Sequence, residues 1–541
     1  MADVINHQHF KVPREDRSLL AIPPLESAGD LVERNRRLFA AADSSFHGRT
    51  LAELRSQANA EVLAQARAYT SSLLGIELPK QNSASIIVSG HQPEMFHVGV
   101  WAKNFTLASV ARKSGAAAIN LVIDNDTMNG TSLRVPAGSR DRLQADRVFY
   151  DAPQPVQPWE EATVRDPDLF NRFGSIVCPQ VRRDWGFEPL IGRYWKAAVQ
   201  QRQVSNRICD ALTAMRARIE RDWGLTNLEL PMSRLCEMES FQWFAAHLMV
   251  RAADVYSAYN QSVAAYRRMH QLRNHMQPVP DLEQKGDWYE SPFWIWNRGD
   301  AQRGRLFVRQ SGNEFELRNE DQVVTRFAVN ESGTLTDAVR ALREFSQRGI
   351  RLRTRALTTT LFARVFLADL FVHGIGGAKY DEMTNQLCHR LFGLAAPEFL
   401  TVSATLYLPL GGTHRVTDTE LRSLNQRIRD LNYNPDRHLG SDAEIAPIAH
   451  QKSQILAEAK AFRATTHTRA RLSPTQHRML EDIRSSLRKH AEPIRQKYDA
   501  SRRDLQNRLA ANSLLKNREF AFALYPEQQV REFLLPLAER G

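Results

Sequence analysis

One stretch of the chain, residues 85–129, constrains the fold more than any other. It reads SIIVSGHQPEMFHVGVWAKNFTLASVARKSGAAAINLVIDNDTMN. An apolar run at 86–88 is followed by a polar loop, and a helical pattern then extends from about 99 to 112. Gly115 marks the end of that helix, and a second apolar run at 119–123 ends in acidic residues. The stretch therefore predicts a strand, a polar loop, a helix, a second strand and a second polar loop.

Two polar loops of this stretch each follow the end of a predicted strand. Strands that are apolar throughout are typical of parallel sheets covered on both faces. Ligands of such sheets bind at the carboxyl ends of the strands, so we expect both loops to face one crevice. The candidate residues are Gly90, His91, Gln92, Phe96 and His97 in the first loop, Lys103 and Asn104 one turn inside the helix, and Asp124, Asn125, Asp126 and Asn129 in the second loop.

Length and composition limit the class of protein. At 541 residues the chain is too long for one ordinary domain. Its four cysteines are scattered, which predicts neither a disulfide framework nor a zinc site and is typical of a cytoplasmic protein. No apolar run approaches the ~20 residues needed to span a bilayer, and we expect neither a membrane anchor nor a secretion signal. The net charge of +11 favours anionic partners, although a solvated basic surface gives the same count.

Periodicity and composition predict five segments. They are an N-terminal helical segment at 1–80, a first α/β half at 81–150, an insertion at 151–334 that is helical and then a small antiparallel β unit, a second α/β half at 335–410, and a helical segment with a C-terminal return at 411–541. In the last segment we predict one long helix over 474–514, kinked at Pro493, with a narrow apolar stripe of the type that forms coiled-coil seams.

A second motif, HGIGGAKYDE, occupies residues 373–382. We predict that a hydrophobic helix over 359–371 leads into a glycine turn, which allows a ligand to approach the backbone. The candidate binding residues here are His373, Gly374, Gly376, Gly377, Lys379 and Asp381. Asp381 can instead cap the following helix, and His373 is either a packed residue or a site residue.

The two motifs resemble segments of a known family, the bacillithiol-biosynthesis cysteine-adding enzymes (BshC). VSGHQPEMFHVGVWAKN is similar to the family's glycine-glutamine-proline segment near the N-terminus. LFARVFLADLFVHGIGGAKYDE resembles its later segment, in which a hydrophobic helix leads to a glycine loop. The order of the segments is also similar. His91 and His97 replace a glutamine and a glycine of the family pattern, so the resemblance is to a divergent member.

The resemblance implies a fold and an activity. The fold is a Rossmann-like parallel sheet core related to class I aminoacyl-tRNA synthetases, with a large helical and β insertion and a C-terminal α-helical coiled coil that forms a homodimer. The activity is that of a ligase in bacillithiol biosynthesis, joining an amino acid, cysteine in the family, to the amine of an amino-sugar conjugate. ATP or ADP and Mg²⁺ are the expected cofactors. The lysine loop of the synthetases is not visible, so the means of carboxylate activation stays open.

We expect four residues to be catalytic. His91 and His97 precede a helix N-terminus, where they would contact an anion or a developing charge. Asp124 and Asp126 would bind an ammonium group, a ribose hydroxyl or Mg²⁺. Turn capping is the alternative for both pairs, and a solvated helix lysine is the alternative for a phosphate-binding Lys103.

A different class of function is also open. The same fold is compatible with a non-catalytic dimeric protein that binds nucleotides or RNA. The C-terminal helices are basic, but we favour a dimer seam with a solvated face over RNA binding. Trp288, Trp294 and Trp296 in the predicted β unit can stack a base, and we favour core packing for them.

Overall fold

The computed structural model describes residues 11–79, 83, 85–320, 322–329, 333–440, 444–466 and 472–540. The first ten residues, for which no secretion signal is predicted, lie outside the described residues. The chain forms two compact units. The first holds Met1–Val135, Asp146–Leu408 and Arg518–Gly541, and the second holds Pro136–Ala145 and Pro409–Asn517. The division into five segments stays a prediction.

Eighteen strands are present in the described residues. They are β1 Ser18–Ile22, β2 Ser45–Phe46, β3 Arg49–Thr50, β4 Ile86–His91, β5 Ala117–Val122, β6 Thr127–Met128, β7 Ser132–Ala137, β8 Gln144–Phe149, β9 Gln157–Pro158, β10 Leu228–Pro231, β11 Gln284–Lys285, β12 Trp288–Asn297, β13 Gly304–Ser311, β14 Glu314–Asn319, β15 Gln322–Ala328, β16 Ile350–Thr354, β17 Leu370–His373 and β18 Phe399–Thr405.

Seventeen α-helices occur in the same residues. They are α1 Ala28–Ala40, α2 Leu51–Leu74, α3 Val98–Lys113, α4 Pro167–Trp185, α5 Leu190–Val204, α6 Ile208–Asp222, α7 Met232–Leu235, α8 Glu239–Met249, α9 Ala252–Met269, α10 Thr336–Gln347, α11 Ala356–Phe362, α12 Ile375–Phe392, α13 Asp418–Tyr433, α14 Ile445–Thr466, α15 Pro474–His490, α16 Glu492–Leu515 and α17 Glu527–Arg540. None of the described helices is long and apolar enough to cross a membrane.

The central sheet of the first unit has six strands in the order β1-β18-β17-β4-β5-β10. All neighbours are parallel except β1, which is antiparallel to β18. Along the chain, the order runs outward from β4 to β10 on one side and then from β17 to β18 on the other. The strand order therefore reverses between β4 and β17, as in doubly wound sheets. The prediction of an α/β fold with a mostly parallel sheet is confirmed.

The strands of this sheet are buried, as their apolar sequences predict. Every residue of β5 is buried, including the polar Asn120. Its amide donates a 2.8 Å hydrogen bond to Glu229 of β10, and Glu229 also pairs with Arg216 of α6. The one polar side chain of β5 is thus satisfied inside the core, which buried polar groups require.

Helix α3 lies beside the sheet and starts at the cavity described below. His97 is its N-cap and accepts a 3.1 Å hydrogen bond from the backbone N–H of Gly99. The helix is one residue longer at each end than predicted, and Gly115 follows it with a left-handed φ of 61°. Gly99 packs so closely against β18 that a Cβ would collide with the carbonyl oxygen of Ala404.

The prediction for residues 359–371 is wrong. Helix α11 ends at Phe362, a π-helical turn covers Ala363–Leu367, and β17 follows. A uniformly apolar run does not distinguish a helix from a buried strand, so the periodicity could not find β17. The predicted glycine turn is also different, because Gly374 is the N-cap of α12 and Gly376 lies in its first turn.

The predicted long helix over 474–514 is two helices, α15 and α16, which meet at Ala491 just before Pro493. The apolar stripe of α15 is buried inside the chain. Leu480 and Leu487 pack with Ile455 of α14, so neighbouring helices of the second unit fill this seam.

The second sheet of this unit is antiparallel, and β12 of the insertion pairs in it with β11, β13 and β16. The small antiparallel β unit predicted for the insertion corresponds to β11–β15, and β16 joins it from the predicted second α/β half. Trp288 and Trp296 are buried, as expected for core residues. The register of β12 against β13 shifts between Ser291 and Trp294, and Trp294 faces the main cavity. Such β-bulges change the direction of nearby side chains and are common next to active sites.

Replacing Gly99 by alanine tests the close packing of α3. The added Cβ would collide with the carbonyl of Ala404 and with the guanidinium of Arg518. We expect the free energy of unfolding in urea to fall by roughly 1–3 kcal/mol, the usual cost of overpacking. The control is Gly29→Ala in α1, where the Cβ meets no atom within 4 Å. That variant should match the wild type or gain up to about 1 kcal/mol. Equal losses in both variants would contradict this account.

Candidate functional site

A cavity of about 800 Å³ lies at the carboxyl ends of β4 and β17, within the first unit. The loop after β4 and the start of α12 both line it, although they are far apart in the sequence. The predicted residues in its lining are Gly90, His91, Gln92, His97, Lys103, Asn125, Asp126, His373, Gly374, Gly376 and Gly377. A cavity of this size can hold a small-molecule ligand.

The other predicted site residues lie outside this lining. Asn129 and Lys379 are exposed to solvent away from the cavity. The amide of Asn104 is buried and donates a 2.7 Å hydrogen bond to Glu220. Phe96 is also buried, and its ring packs edge-on against His91. Phe96 thus packs against a lining residue, whereas Asn104, Asn129 and Lys379 do not line the cavity.

Asp124 anchors its loop and does not reach the cavity. Its carboxylate is fully buried and accepts hydrogen bonds from the backbone N–H and the hydroxyl of Ser233, at 2.8 and 2.5 Å. Arg207 adds an ion pair at 3.0 Å. The prediction of a catalytic Asp124 is therefore corrected, because no oxygen of this carboxylate faces the ligand space.

Asp126 does line the cavity and joins three parts of the fold. Gln92 of the first loop donates a 2.6 Å hydrogen bond to it, and Arg303 of the insertion pairs with it at 3.2 Å. The Arg303 guanidinium also contacts the ring of Trp294, as does that of Arg355. The insertion thus supplies one wall of the cavity and holds the loop after β5 in place.

His91 is a neutral imidazole. Desolvation, with a smaller effect of the nearby Lys103 ammonium, lowers the pKa of His91 to about 3. Its Nδ1 lies 3.2 Å from the carbonyl oxygen of Gln92, which can only accept, so Nδ1 carries the proton and Nε2 does not. His91 therefore offers an unprotonated nitrogen at neutral pH and carries no charge for an anion.

His97 is also neutral, for a related reason. Desolvation and the adjacent Arg518 lower the pKa of His97 to about 3. Because its Nδ1 accepts from Gly99, the proton sits on Nε2, which lies 3.4 Å from a carboxylate oxygen of Glu519. The expectation that His91 and His97 contact an anion or a developing charge stays a prediction, and both residues would do so as neutral imidazoles.

Lys103 is the buried cation of the site. It is only 3% exposed, and its Nζ donates a 2.6 Å hydrogen bond to the carbonyl oxygen of Gly90. No carboxylate lies within ion-pair distance of it in the described part of the chain. Desolvation, and then repulsion from Arg216, lower the pKa of Lys103 to about 7. An anion in the cavity would stabilise the charged form.

The first turn of α12 is open on the cavity side. The N-cap residue Gly374 has no side chain to accept hydrogen bonds from the first backbone N–H groups of the helix. Gly376 and Gly377 carry no Cβ to cover these groups. A Cβ on Gly377 would press on Nδ1 of His373. The N-termini of α3 and α12 thus both end at the cavity, where their dipoles favour negative charge.

His373 is held by a buried charged group. Its Nε2 donates a 2.7 Å hydrogen bond to Asp381, and Arg364 pairs with the same carboxylate oxygen at 2.6 Å. Desolvation lowers the pKa of His373, while the pKa of Asp381 is lowered by Arg364 and His373 against the effect of burial. Asp381 therefore orients His373 from inside α12. It neither caps the helix nor binds the ligand.

Sequence reasoning missed several lining residues. Arg518, in the segment between α16 and α17, donates a 3.0 Å hydrogen bond to Ser403, and its Nη1 is buried without a hydrogen-bond partner in the described residues. No local pattern points to it. Glu94 belongs to the first loop and lines the cavity. Arg303 comes from the insertion, and Arg355 is the N-cap of α11 in the predicted second α/β half.

Asn125 leaves one polar atom free beside the cavity. Its amide nitrogen donates a 2.9 Å hydrogen bond to the carbonyl of Thr354. Its Oδ1 is buried and has no partner among the described residues, so a ligand hydroxyl or amino group can satisfy it. By contrast, the described residues contain no group of three or more His, Cys, Asp or Glu side chains that could hold a metal ion.

Comparison with models of known protein families and with curated proteins finds no match for this chain. The resemblance therefore rests on the two motifs and the order of the segments. The chemistry of the site is determined by its own residues, which combine two helix N-termini, only one of them capped by a side chain, with one buried lysine and three neutral imidazoles.

Replacing Asp381 by asparagine tests the buried group beneath His373. The change leaves the Arg364 guanidinium, 1% exposed, without its carboxylate. We expect the free energy of unfolding in urea to fall by about 3–5 kcal/mol, as for other broken buried pairs. The control is Asp254→Asn, which removes an exposed partner of Arg251 and should cost less than about 1 kcal/mol. If both variants lost a similar free energy of unfolding, the buried pair would stabilise the protein no more than the exposed pair does.

Proposed function

We propose that this protein is an ATP-dependent ligase similar to BshC, which joins an amino acid to the amine of an amino-sugar conjugate. One observation carries the proposal. Two helix N-termini, that of α3 capped by His97 and that of α12 without a side-chain cap, converge on one cavity with a buried lysine that has no carboxylate partner in the described chain. The cavity lies where the strand order reverses. Nucleotides bind at this point of doubly wound sheets.

The sheet side of the cavity suits a phosphate group. Helices α3 and α12 direct their dipoles at it, and the Lys103 ammonium and the Arg518 guanidinium lie beside them. Of the lining carboxylates, Asp126 is already paired to Arg303, and Glu519 lies 3.4 Å from both His97 and Arg518. A synthetase-like use of the fold would place ATP on this side.

Amide formation requires an activated carboxylate. An oxygen of the substrate carboxylate attacks a phosphorus atom of ATP and displaces either diphosphate or ADP. The amine nitrogen then attacks the acyl carbon, the phosphate-bearing group leaves with the bond electrons, and the nitrogen gives up one proton. This sequence needs a proton acceptor close to the amine.

Glu94 is the carboxylate best suited to accept that proton. It has no hydrogen-bond or ion-pair partner in the described chain. Desolvation by the surrounding cavity walls, and then the negative charges of Asp126 and Glu519, raise the pKa of Glu94. The side chain itself is exposed at the mouth of the cavity. A raised carboxylate pKa improves a general base at neutral pH. His91, with its unprotonated Nε2, would orient the amine.

Mg²⁺, if the reaction uses it, would enter with the nucleotide phosphates. Magnesium often binds through one or two carboxylates and substrate phosphates. Asp126 is the lining carboxylate that would face such an ion, whereas Glu94 would stay free to accept the proton. We also propose a homodimer through the second unit, where Tyr433, Leu456 and Met479 expose apolar surface.

Binding of ATP should be linked to proton uptake by Lys103. At pH 8 this amine is mostly neutral in the free protein, since its pKa is about 7, and a bound phosphate raises that pKa. Calorimetric titration with ATP in buffers of different ionisation enthalpy should show uptake approaching one proton. Lys103→Met should abolish the uptake and weaken binding about tenfold or more, the loss expected for a charged hydrogen bond.

The matched control for this experiment is Lys113→Met, at the exposed opposite end of α3. It should bind ATP with the same affinity and the same proton uptake as the wild type. Unchanged ATP binding in Lys103→Met, or proton release on binding, would contradict the assignment of the phosphate group to this side of the cavity.

Product formation from cysteine, an amino-sugar conjugate and ATP tests the ligase itself. We expect His91→Ala and Asp126→Ala to reduce the rate about 100-fold or more, the scale of lost acid–base and orientation effects. His389→Ala and Asp254→Ala, both exposed, are the matched controls. If neither His91→Ala nor Asp126→Ala alters small-molecule binding or turnover, the proposal fails. Salt-dependent RNA binding that is insensitive to His91→Ala would instead favour the non-catalytic alternative.

A further inference from the structure

A second cavity, of about 780 Å³, is lined by two residues that bind the loop after β5. Asn125 and Asp126 line the first cavity. Arg207 and Ser233, which bind the neighbouring Asp124, line the second. The second cavity also lies within the first unit, between α2, the loop after β9, α7 and the sheet of the insertion. None of the chemistry proposed above uses it.

The carboxylates of the second cavity are already occupied. Both oxygens of Glu160 accept from Arg353, at 2.8 and 2.9 Å, and Glu237 pairs with the same guanidinium at 2.9 Å. Glu161 accepts from the backbone N–H of Gly299 and from the indole of Trp296. Glu61 accepts from the backbone N–H and the hydroxyl of Ser240. These acidic groups therefore offer little to a cationic ligand.

The arginines of the same cavity retain donors. Arg234 and Arg298 are exposed, and neither has a carboxylate within ion-pair distance in the described part of the chain. Arg207 gives one terminal nitrogen to Asp124 and has the other 3.8 Å from Asp210, whereas its buried Nε has no hydrogen-bond partner in the described residues. The Nε of Arg351 lies 3.5 Å from Glu161 and 3.9 Å from Glu160, and it makes no hydrogen bond in the described residues. The free capacity of this cavity consists of guanidinium donors.

We propose that the second cavity binds a small molecule that carries a phosphate group, held by Arg207, Arg234, Arg298 and Arg351. Guanidinium groups bind phosphate oxygens through paired, charge-assisted hydrogen bonds, and a phosphate has enough oxygens for several arginines. The cavity volume is in the range of small-molecule sites. This site goes beyond the proposed ligase reaction and does not depend on it.

Inorganic pyrophosphate is the probe that tests the site. Because the first cavity is also expected to bind phosphate, the titration is made in Lys103→Met protein. We expect binding to remain there and to weaken about tenfold or more when Arg234→Gln and Arg298→Gln are added, since each removes a charged donor. Both arginines are exposed, so the protein should keep its melting temperature.

The matched control adds Arg37→Gln and Arg268→Gln, two exposed arginines of the first unit outside both cavities, and should leave the affinity unchanged. If Lys103→Met alone abolishes pyrophosphate binding, or if the cavity arginines make no difference, the proposal is overturned. A short single-stranded RNA is the second probe. If RNA binds through Arg234 and Arg298 while pyrophosphate does not, the arginines serve a nucleic acid, and the small-molecule assignment is wrong.

Discussion

The reversal of strand order between β4 and β17 is the constraint on which the rest of the structure depends. Where two adjacent parallel strands lead to connections on opposite faces, the loops at their carboxyl ends diverge and leave a crevice. Here that crevice receives the N-termini of α3 and α12 together. Two positive helix ends at one place stabilise an anion. The topology therefore favours a negatively charged ligand even before any side chain contributes.

Desolvation then decides which side chains are charged around that crevice. The walls exclude enough water that His91 and His97 are neutral at pH 7. Lys103, with a pKa of about 7, is then about half protonated. In the free protein the site thus carries less positive charge than its sequence suggests. A ligand phosphate would restore the charge of Lys103 where it is needed, and the buried position would keep that interaction strong because little water screens it.

The sequence predicted the local elements of the site and missed its long-range contacts. The β4–α3–β5 unit was found because strands, helix and the terminal Gly115 each leave a local pattern. β17 was missed because an apolar run has no period that separates it from the preceding helix. Arg518 and the anchoring of Asp124 by Arg207 depend on tertiary contacts between distant segments, which no local signal carries. Asp381 was predicted to bind a ligand or to cap a helix, because its ion pair with Arg364 is a tertiary contact that the local sequence does not show.

The anchoring of Asp124 has a consequence for how the two cavities can communicate. Its carboxylate holds Arg207 and Ser233 on one side, while the next two residues of the same loop face the first cavity. An anion that draws the Arg207 guanidinium away would leave a fully buried carboxylate with only Ser233 as a partner, which is costly. The loop would then shift to recover a partner, and Asp126, bound to Gln92 and Arg303, would shift with it. Thermodynamic linkage makes such an effect mutual, so a ligand that orders Asp126 in the first cavity must change anion affinity in the second by the same factor.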